Sequence, residues 1–218
     1  VLKRFRWQIA QFVELKWWKR YLKTQSVDAY LEWKRNYWKQ FLVDIHFEEI
    51  KEWQKEDQML DMGCGPAGIF SIFSNRTIIA VDPLLDAYEN ELMHFDKANY
   101  PQVLFYQDTI EDFVSDKVFD IVFCLNCINH VIDIGKAMSN LNQLSSQDAI
   151  LIISTDAHRF NLLKFIFSCI PGDILHPHQY TQSEYLQIFE ASGFKLLHTY
   201  VLKQESIFDY CVFVMKKA

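Results

Sequence analysis

The chain has 218 residues, a formal net charge of −6, and a composition that is 50% hydrophobic and 16% aromatic. That is one domain's worth of chain with ample apolar material for a core, and its acidic balance argues against holding nucleic acid by overall charge. The 5 cysteines are scattered and form no disulfide framework, so a reducing, cytoplasmic setting is expected, and no apolar run approaches the roughly 20 residues of a membrane-spanning helix.

The N-terminus, Val1-Leu-Lys-Arg-Phe-Arg-Trp7, is basic with no apolar stretch behind it and does not read as a signal peptide. Leu2, Phe5, Ile9, Phe12 and Val13 fall on one helical stripe, whereas Trp17, Trp18, Tyr21 and Leu22 fall on another. A straight helix cannot turn both stripes to one surface, so the spacing predicts a bend near residues 14–16 or two contact partners. For residues 1–24, packing on the domain's own surface or a lid over a substrate is favoured over a basic aromatic face lying on a membrane. Residues 27–45 predict a second helix, because Tyr30, Leu31, Tyr37, Trp38, Phe41, Leu42 and Ile45 recur at spacings of three and four, with Trp33 off the stripe. The polar run 48–57 then joins this N-terminal helical cap (1–54) to a sheet-bearing region (55–218).

Met59-Leu-Asp-Met-Gly-Cys-Gly-Pro-Ala-Gly-Ile69 reads as a buried strand entering a glycine turn and then a helix. Gly63 and Gly65 allow positive φ and a close backbone approach. Pro66 suits a first helical turn. Such a turn leaves N–H groups where a ligand can lie against bare backbone. Two fingerprints fit these letters. One is the dinucleotide pattern Gly63-x-Gly65-x-x-Gly68, with Asp82 about 20 residues further on. The other is an acidic residue followed by Gly-x-Gly, and here the chain resembles the class I S-adenosylmethionine-dependent methyltransferases, whose first motif has that form. Asp61 separates the two: a carboxylate at the strand end repels a pyrophosphate and suits S-adenosylmethionine, which carries an ammonium and a sulfonium and no phosphate. The methyltransferase reading is preferred over a Rossmann-type nucleotide-dependent oxidoreductase and over a non-catalytic partner subunit that keeps the fold.

Beyond the turn the pattern predicts a short helix to about Ser74, strands at 77–81, 103–106, 119–123 and 149–153, and helices at 84–99 and 131–144. Thr181-Gln-Ser-Glu184 is a capping box opening a helix that ends at Gly193. Strands apolar on both faces that alternate with helices argue for a parallel sheet covered on both sides. The segments 194–202 and 208–215 are too close for a crossover and should pair antiparallel. The expected fold is α/β: a three-layer, doubly wound, Rossmann-like sheet of seven mostly parallel strands with a terminal antiparallel hairpin, as the resemblance also implies, plus the N-terminal cap.

In open parallel sheets the ligand lies past the carboxyl ends of the strands, at the switch in strand order. Asp61, Asp82, Asp108 and Asn126 each end a predicted strand. Asp82 is placed to accept from both ribose hydroxyls, Pro83 and Leu84 to wall the adenine, and Asn126 to contribute through its backbone near the methionine end. The resemblance implies Asp108 at the adenine amino group with Thr109 and Ile110 beside it; the competing reading is a turn or N-cap aspartate before Glu111. Gly63, Cys64 and Gly65 complete the cofactor set, Cys64 as a small filler. Cys124-x-x-Cys127 has no second pair and reads as packed cysteines, so no metal site is expected.

Methyl transfer is a direct displacement at carbon, for which a protein must align the acceptor and exclude water. A base is needed only where the acceptor loses a proton, and histidine has the pKa for it. His130, which faces the cleft in related sequences, is the first candidate. His176 and His178, in the loop before the capping box, are the second; each has a structural reading as well. No Asn-Pro-Pro-Tyr-like sequence follows strand four, where the chain reads Leu125-Asn-Cys-Ile128, and this lowers the case for protein amide or DNA amino nitrogens. The last helix, ending Glu-Ala-Ser-Gly-Phe194, resembles that of the broad small-molecule methyltransferase group, whose members also act on sugars, quinones and lipids. The expectations are therefore S-adenosylmethionine as cofactor, methylation of an oxygen or nitrogen on a small-molecule acceptor, and no nucleic-acid partner.

Overall fold

The computed structural model describes residues 2–159 and 178–218. Two short strands, β1 (Met59–Met62) and β2 (Ile78–Val81), are buried at every position. β3 (Val103–Tyr106), β4 (Phe119–Leu125) and β5 (Ser145–His158) extend them in parallel, and β6 (Phe194–Gln204) and β7 (Phe208–Lys217) close the sheet as an antiparallel pair. The sheet has 7 strands in the order β3-β2-β1-β4-β5-β7-β6. The order reverses between β1 and β4, where Asp61 is in register with Ala80 on one side and Phe123 on the other. That reversal opens a cleft above the carboxyl ends of β1, β2 and β4.

Side-chain alternation builds both layers. Leu60, Met62, Ile79, Val81, Val122 and Leu151 face α5 (Ile134–Leu144) and α6 (Gln182–Ala191). Met59, Ile78, Ala80, Ile121, Phe123 and Ile152 face the opposite way, onto α2 (Val27–Asp44) and α3 (Phe47–Ile50). The helices before the sheet are thus one of its covering layers. Trp38, Phe41, Ile45 and Phe47 are buried there, and each such side chain contributes about 1.5–3 kcal/mol of burial. α1 (Leu2–Leu22) is one uninterrupted helix of 21 residues, so the predicted break near residues 14–16 is absent, and no second contact partner takes its place among the described residues: Phe5, Phe12 and Val13 of the first stripe stay exposed, while Trp18 and Leu22 of the second pack inward.

Several expected helices are shorter. The segment after the glycine turn forms only a 3₁₀ turn at Ile69–Ile72. Gly68 stands extended, and a Cβ there would lie 2.5 Å from Asp61 Oδ2 and from the Cys64 carbonyl, so the chain is pinned against β1 rather than free to wind. The predicted helix 84–99 divides into α4 (Leu85–Glu91) and a 3₁₀ turn at Lys97–Asn99 capped by Asp96. Leu92 and Phe95 both turn into the core between them. α5 starts at Ile134 rather than 131, because the Asp133 carboxylate accepts from the Lys136 N–H and caps it. No helix lies between β3 and β4. The predicted capping box of α6 is present, with the Thr181 hydroxyl and the Glu184 carboxylate satisfying each other's backbone N–H.

Candidate cofactor and acceptor site

The glycine turn is held from below. The N–H groups of Gly63 and Cys64 both donate to the Val81 carbonyl, at 2.7 and 3.1 Å. Gly63 has φ +70° and Gly65 φ +59°, and a Cβ on Gly63 would fall 2.5 Å from Cys127 Cβ, so glycine is required twice over. The Cys127 thiol donates to the Met62 carbonyl at 3.1 Å and lies 3.3 Å from Cys124 Sγ. The Cys-x-x-Cys pair is therefore packing material beneath the turn.

Asp82, at the end of β2, is 6% exposed. Its Oδ2 accepts from Gly65 N–H at 2.9 Å and its Oδ1 from Leu84 N–H at 2.8 Å. A carboxylate has about four acceptor positions, so each oxygen keeps one for a ligand. The two backbone bonds fix the direction in which those positions point, and a vicinal diol is the matching donor pair. Burial pushes the carboxyl up to about 6. Asp61 is 1% exposed and turned under the loop, where its Oδ2 accepts from Phe70 N–H at 3.1 Å. Burial raises its carboxyl to about 7, with Asp82 adding to the effect.

A cavity of about 290 Å³ lies above these groups, with Gly63, Cys64, Gly65, Asp82 and Pro83 along its floor. Thr109, Ile110, Asn126 and His130 line its sides. Asn126 adopts φ 56° at the end of β4 and donates from Nδ2 to the Tyr210 hydroxyl at 3.3 Å. Of the residues singled out from sequence, Asp61, Leu84 and Asp108 do not line the cavity; Leu84, expected to wall the adenine, instead holds Asp82 through its N–H. Asp61 lies beneath the loop. Asp108 accepts from its neighbour Thr109 N–H at 2.8 Å, a turn aspartate's bond. His178 donates its backbone N–H to the Asn129 carbonyl at 3.4 Å, which sets it beside the His130 segment but off the cavity wall. His176 lies outside the described residues.

The roof comes from α1 and α2 and was not legible in the motif. Trp7, Glu14 and Trp18 of α1, with Lys34 and Trp38 of α2, complete the cavity. Trp38 locks α2 to the glycine turn by donating from Nε1 to the Ala67 carbonyl at 2.8 Å. Glu14 accepts from the Tyr88 hydroxyl at 3.3 Å. Burial, with Asp82 close by, pushes Glu14 up to about 7. Lys34 Nζ lies 5.0 Å from the rings of Tyr37 and Trp38 and 5.5 Å from Trp33, a cation–π setting, and burial pushes it down to about 8. One signal was available in the sequence: Glu14 is the sole acid in a run of Lys, Arg and aromatics.

A family model described as a methyltransferase domain matches residues 30–199. The chain belongs to that family. The family lies within the class I S-adenosylmethionine-dependent methyltransferases, and the seven-stranded order is that fold. An S-adenosylmethionine-dependent methyltransferase from Clostridium acetobutylicum superposes with a TM-score of 0.62 at 13% identity, covering 83% of this chain and 91% of that one. The N-methyltransferase NodS from Bradyrhizobium japonicum, in complex with S-adenosyl-L-homocysteine, superposes with a TM-score of 0.56 at 11% identity, covering 74% and 78%. Among curated proteins, the ubiquinone biosynthesis O-methyltransferase of Rickettsia typhi is 31% identical over 115 residues, which is 52% of this chain and 45% of the relative. The namesake from Rickettsia prowazekii is 35% identical over 100 residues, 45% of this chain and 39% of the relative. The match thus spans less than half the length of these curated relatives. The family model starts inside α2, so α1, which carries Glu14, lies outside it.

Proposed function

We propose that this methyltransferase-family chain binds S-adenosylmethionine in the cavity over β1 and β2 and methylates an oxygen of a small aromatic acceptor. The observation that carries the cofactor is the charge around the glycine turn. Asp61, Asp82 and Glu14 gather there, and the Phe70 N–H at the start of the 3₁₀ turn is already taken by Asp61. A pyrophosphate would meet carboxylates and find no free helix N-terminus, whereas a sulfonium and an ammonium suit this field. This disfavours the dinucleotide-dependent oxidoreductase.

When bound, the sulfonium supplies the methyl group and its own leaving group. The chain's residues then align and desolvate. Asp82 holds the ribose, and Asp61 keeps the loop in place from below. Thr109 and Ile110 flank the adenine, with Asp108 bracing their turn. The indoles of Trp7 and Trp18 exclude water from above. His130 takes the hydroxyl proton at the acceptor end, and the Lys34 ammonium lies where it can balance a developing phenolate. The Rickettsia relatives, named as O-methyltransferases of ubiquinone biosynthesis, support a phenolic acceptor carrying an apolar substituent.

The test is calorimetric titration with S-adenosylmethionine, S-adenosylhomocysteine and NAD, followed by transfer of labelled methyl to alkyl-substituted catechols and, in parallel, to alkyl-substituted anilines. Saturable binding of the first two, none of NAD, and label on a phenolic oxygen are expected. Tight NAD binding in their place overturns the cofactor assignment. Cofactor binding with label passing to amines and never to phenols overturns the acceptor.

A further inference from the structure

The two faces of α1 are used unequally. Trp18 and Leu22 pack inward on the core, and Glu14 faces the cavity. The opposite face carries Phe5 (59% exposed), Phe12 (56%) and Val13 (39%) of the first apolar stripe, with Ile9 half-buried between them, and no packing partner for Phe5 or Val13 is found among the described residues. Flanking them, Arg6, Lys16, Lys19, Arg20 and Lys23 are all exposed, while the helix's one acid, Glu14, is turned away; Arg4 is turned instead toward Asp112. Lys19 is partly answered by Glu91 of α4 at 2.6 Å. Lys16 Nζ rests 4.2 Å from the centre of the Phe12 ring, so cation and aromatic share one surface. The segment's charge is opposite in sign to the chain's net −6.

We propose that this outer face of α1 is a docking surface for an anionic lipid bilayer. Exposed aromatics interleaved with arginine and lysine on one side of a helix are what an interfacial helix needs: apolar side chains to enter the acyl boundary and cations to meet headgroup phosphates. No helix among the described residues is long and apolar enough to cross a membrane, so the chain would lie on the surface. A second copy of the chain is a poor occupant, because two such faces would set like charges against each other. Nucleic acid would use the cations but leave the Phe5–Phe12–Val13 stripe in water. The inner face of the same helix roofs the cavity, so docking brings the cavity to the lipid surface. Docking through the outer face is independent of whatever reaction the cavity performs.

The experiment is co-sedimentation of the full chain with vesicles of phosphatidylcholine alone and of phosphatidylcholine containing about one-third phosphatidylglycerol. Binding to the anionic vesicles should be about tenfold tighter or more and should weaken with added salt. A Phe5→Ser/Phe12→Ser variant and an Arg6→Gln/Arg20→Gln variant should each lose about tenfold in vesicle affinity, with unchanged melting temperature and cofactor affinity. Equal binding to both vesicle types, or none to either, overturns the proposal. So does self-association that the same variants abolish, or tighter binding to a nucleic-acid duplex that the phenylalanine variant leaves intact.

Discussion

On the floor of the cavity, Asp82 is gripped by two backbone N–H groups and the glycine turn by the Val81 carbonyl. On the roof, Glu14 meets a phenol hydroxyl at 3.3 Å and Lys34 the faces of aromatic rings. The floor's polar atoms are aimed by the backbone, which the fold fixes. The roof's are carried on long side chains of helices that pack through indoles and phenols. A site built this way holds its cofactor by preorganised geometry. On the proposed reading the acceptor end is adjustable through these helices, and α1 lies outside the family model, which begins within α2.

The largest expected effect belongs to the point where floor and roof meet. His130 ends the 3₁₀ turn after β4 and faces the cavity under Trp7 and Trp18. His130→Ala should lower turnover about 10²-fold or more while leaving cofactor affinity within a few-fold, if it takes the acceptor proton. Steady-state kinetics across pH 6–8 check this. A loss below tenfold with an unchanged pH profile rejects the base role and moves proton transfer to solvent or to the roof.

Next in size is the contrast between two floor aspartates. On the proposed assignment, Asp82→Ala would remove two charge-assisted hydrogen bonds to the ribose, with a net contribution together on the order of 1.5–3 kcal/mol. S-adenosylmethionine and S-adenosylhomocysteine should both weaken roughly 10- to 100-fold or more. Asp61→Asn keeps a side-chain oxygen for the Phe70 N–H, so it should cost the ribose end little and act through the charge near the cationic methionine end. Adenosine affinity should therefore fall with Asp82→Ala and hold with Asp61→Asn. Calorimetry with the three ligands separates the cases. Equal losses for adenosine in both variants would mean that the two aspartates serve only to hold the loop.

Much of the floor was legible in the sequence. β-strand periodicity and the glycines place Asp82 and Asn126 at strand ends, because a parallel sheet has one register and its carboxyl ends share one edge, whereas Thr109 and Ile110 came from the resemblance alone. What escaped were the choices made by packing. Nothing local says that Gly68 would lie against Asp61 and cut the following helix to a 3₁₀ turn, or that Leu92 and Phe95 would divide the helix after β2. The roof was hidden for the same reason: Glu14 meets a residue 74 positions away, and Lys34 is desolvated by aromatics whose spacing reads equally as core. For α1 the stripe pattern stated the conflict correctly, two faces for one helix, but could not say which face would be inward.

The smallest effect tests whether the roof is closed before a ligand arrives. Glu14 is half-buried and Asp82 buried, and the loss of solvent holds their carboxyls up at about 7 and about 6. A carboxyl whose folded value is raised binds its proton more tightly in the folded than in the unfolded chain. Its contribution to stability is full below the usual carboxylate range, near pH 4, and is lost as pH rises through the folded value. The ligand-free protein should therefore lose stability between about pH 4 and pH 7 on account of this pair. Glu14→Gln keeps an acceptor for the Tyr88 hydroxyl and removes the titration. The variant should melt with the wild type at pH 5 and above it at pH 8, by about 1–3 kcal/mol at most, or a few degrees for a chain of this size. Thermal melts of both proteins at several pH values measure this directly. Parallel curves would show Glu14 ionised and solvated at neutral pH. In that case α1 stands open over the floor until the cofactor draws it down, and the distinction between a fixed floor and an adjustable roof becomes one between a standing site and a closing one.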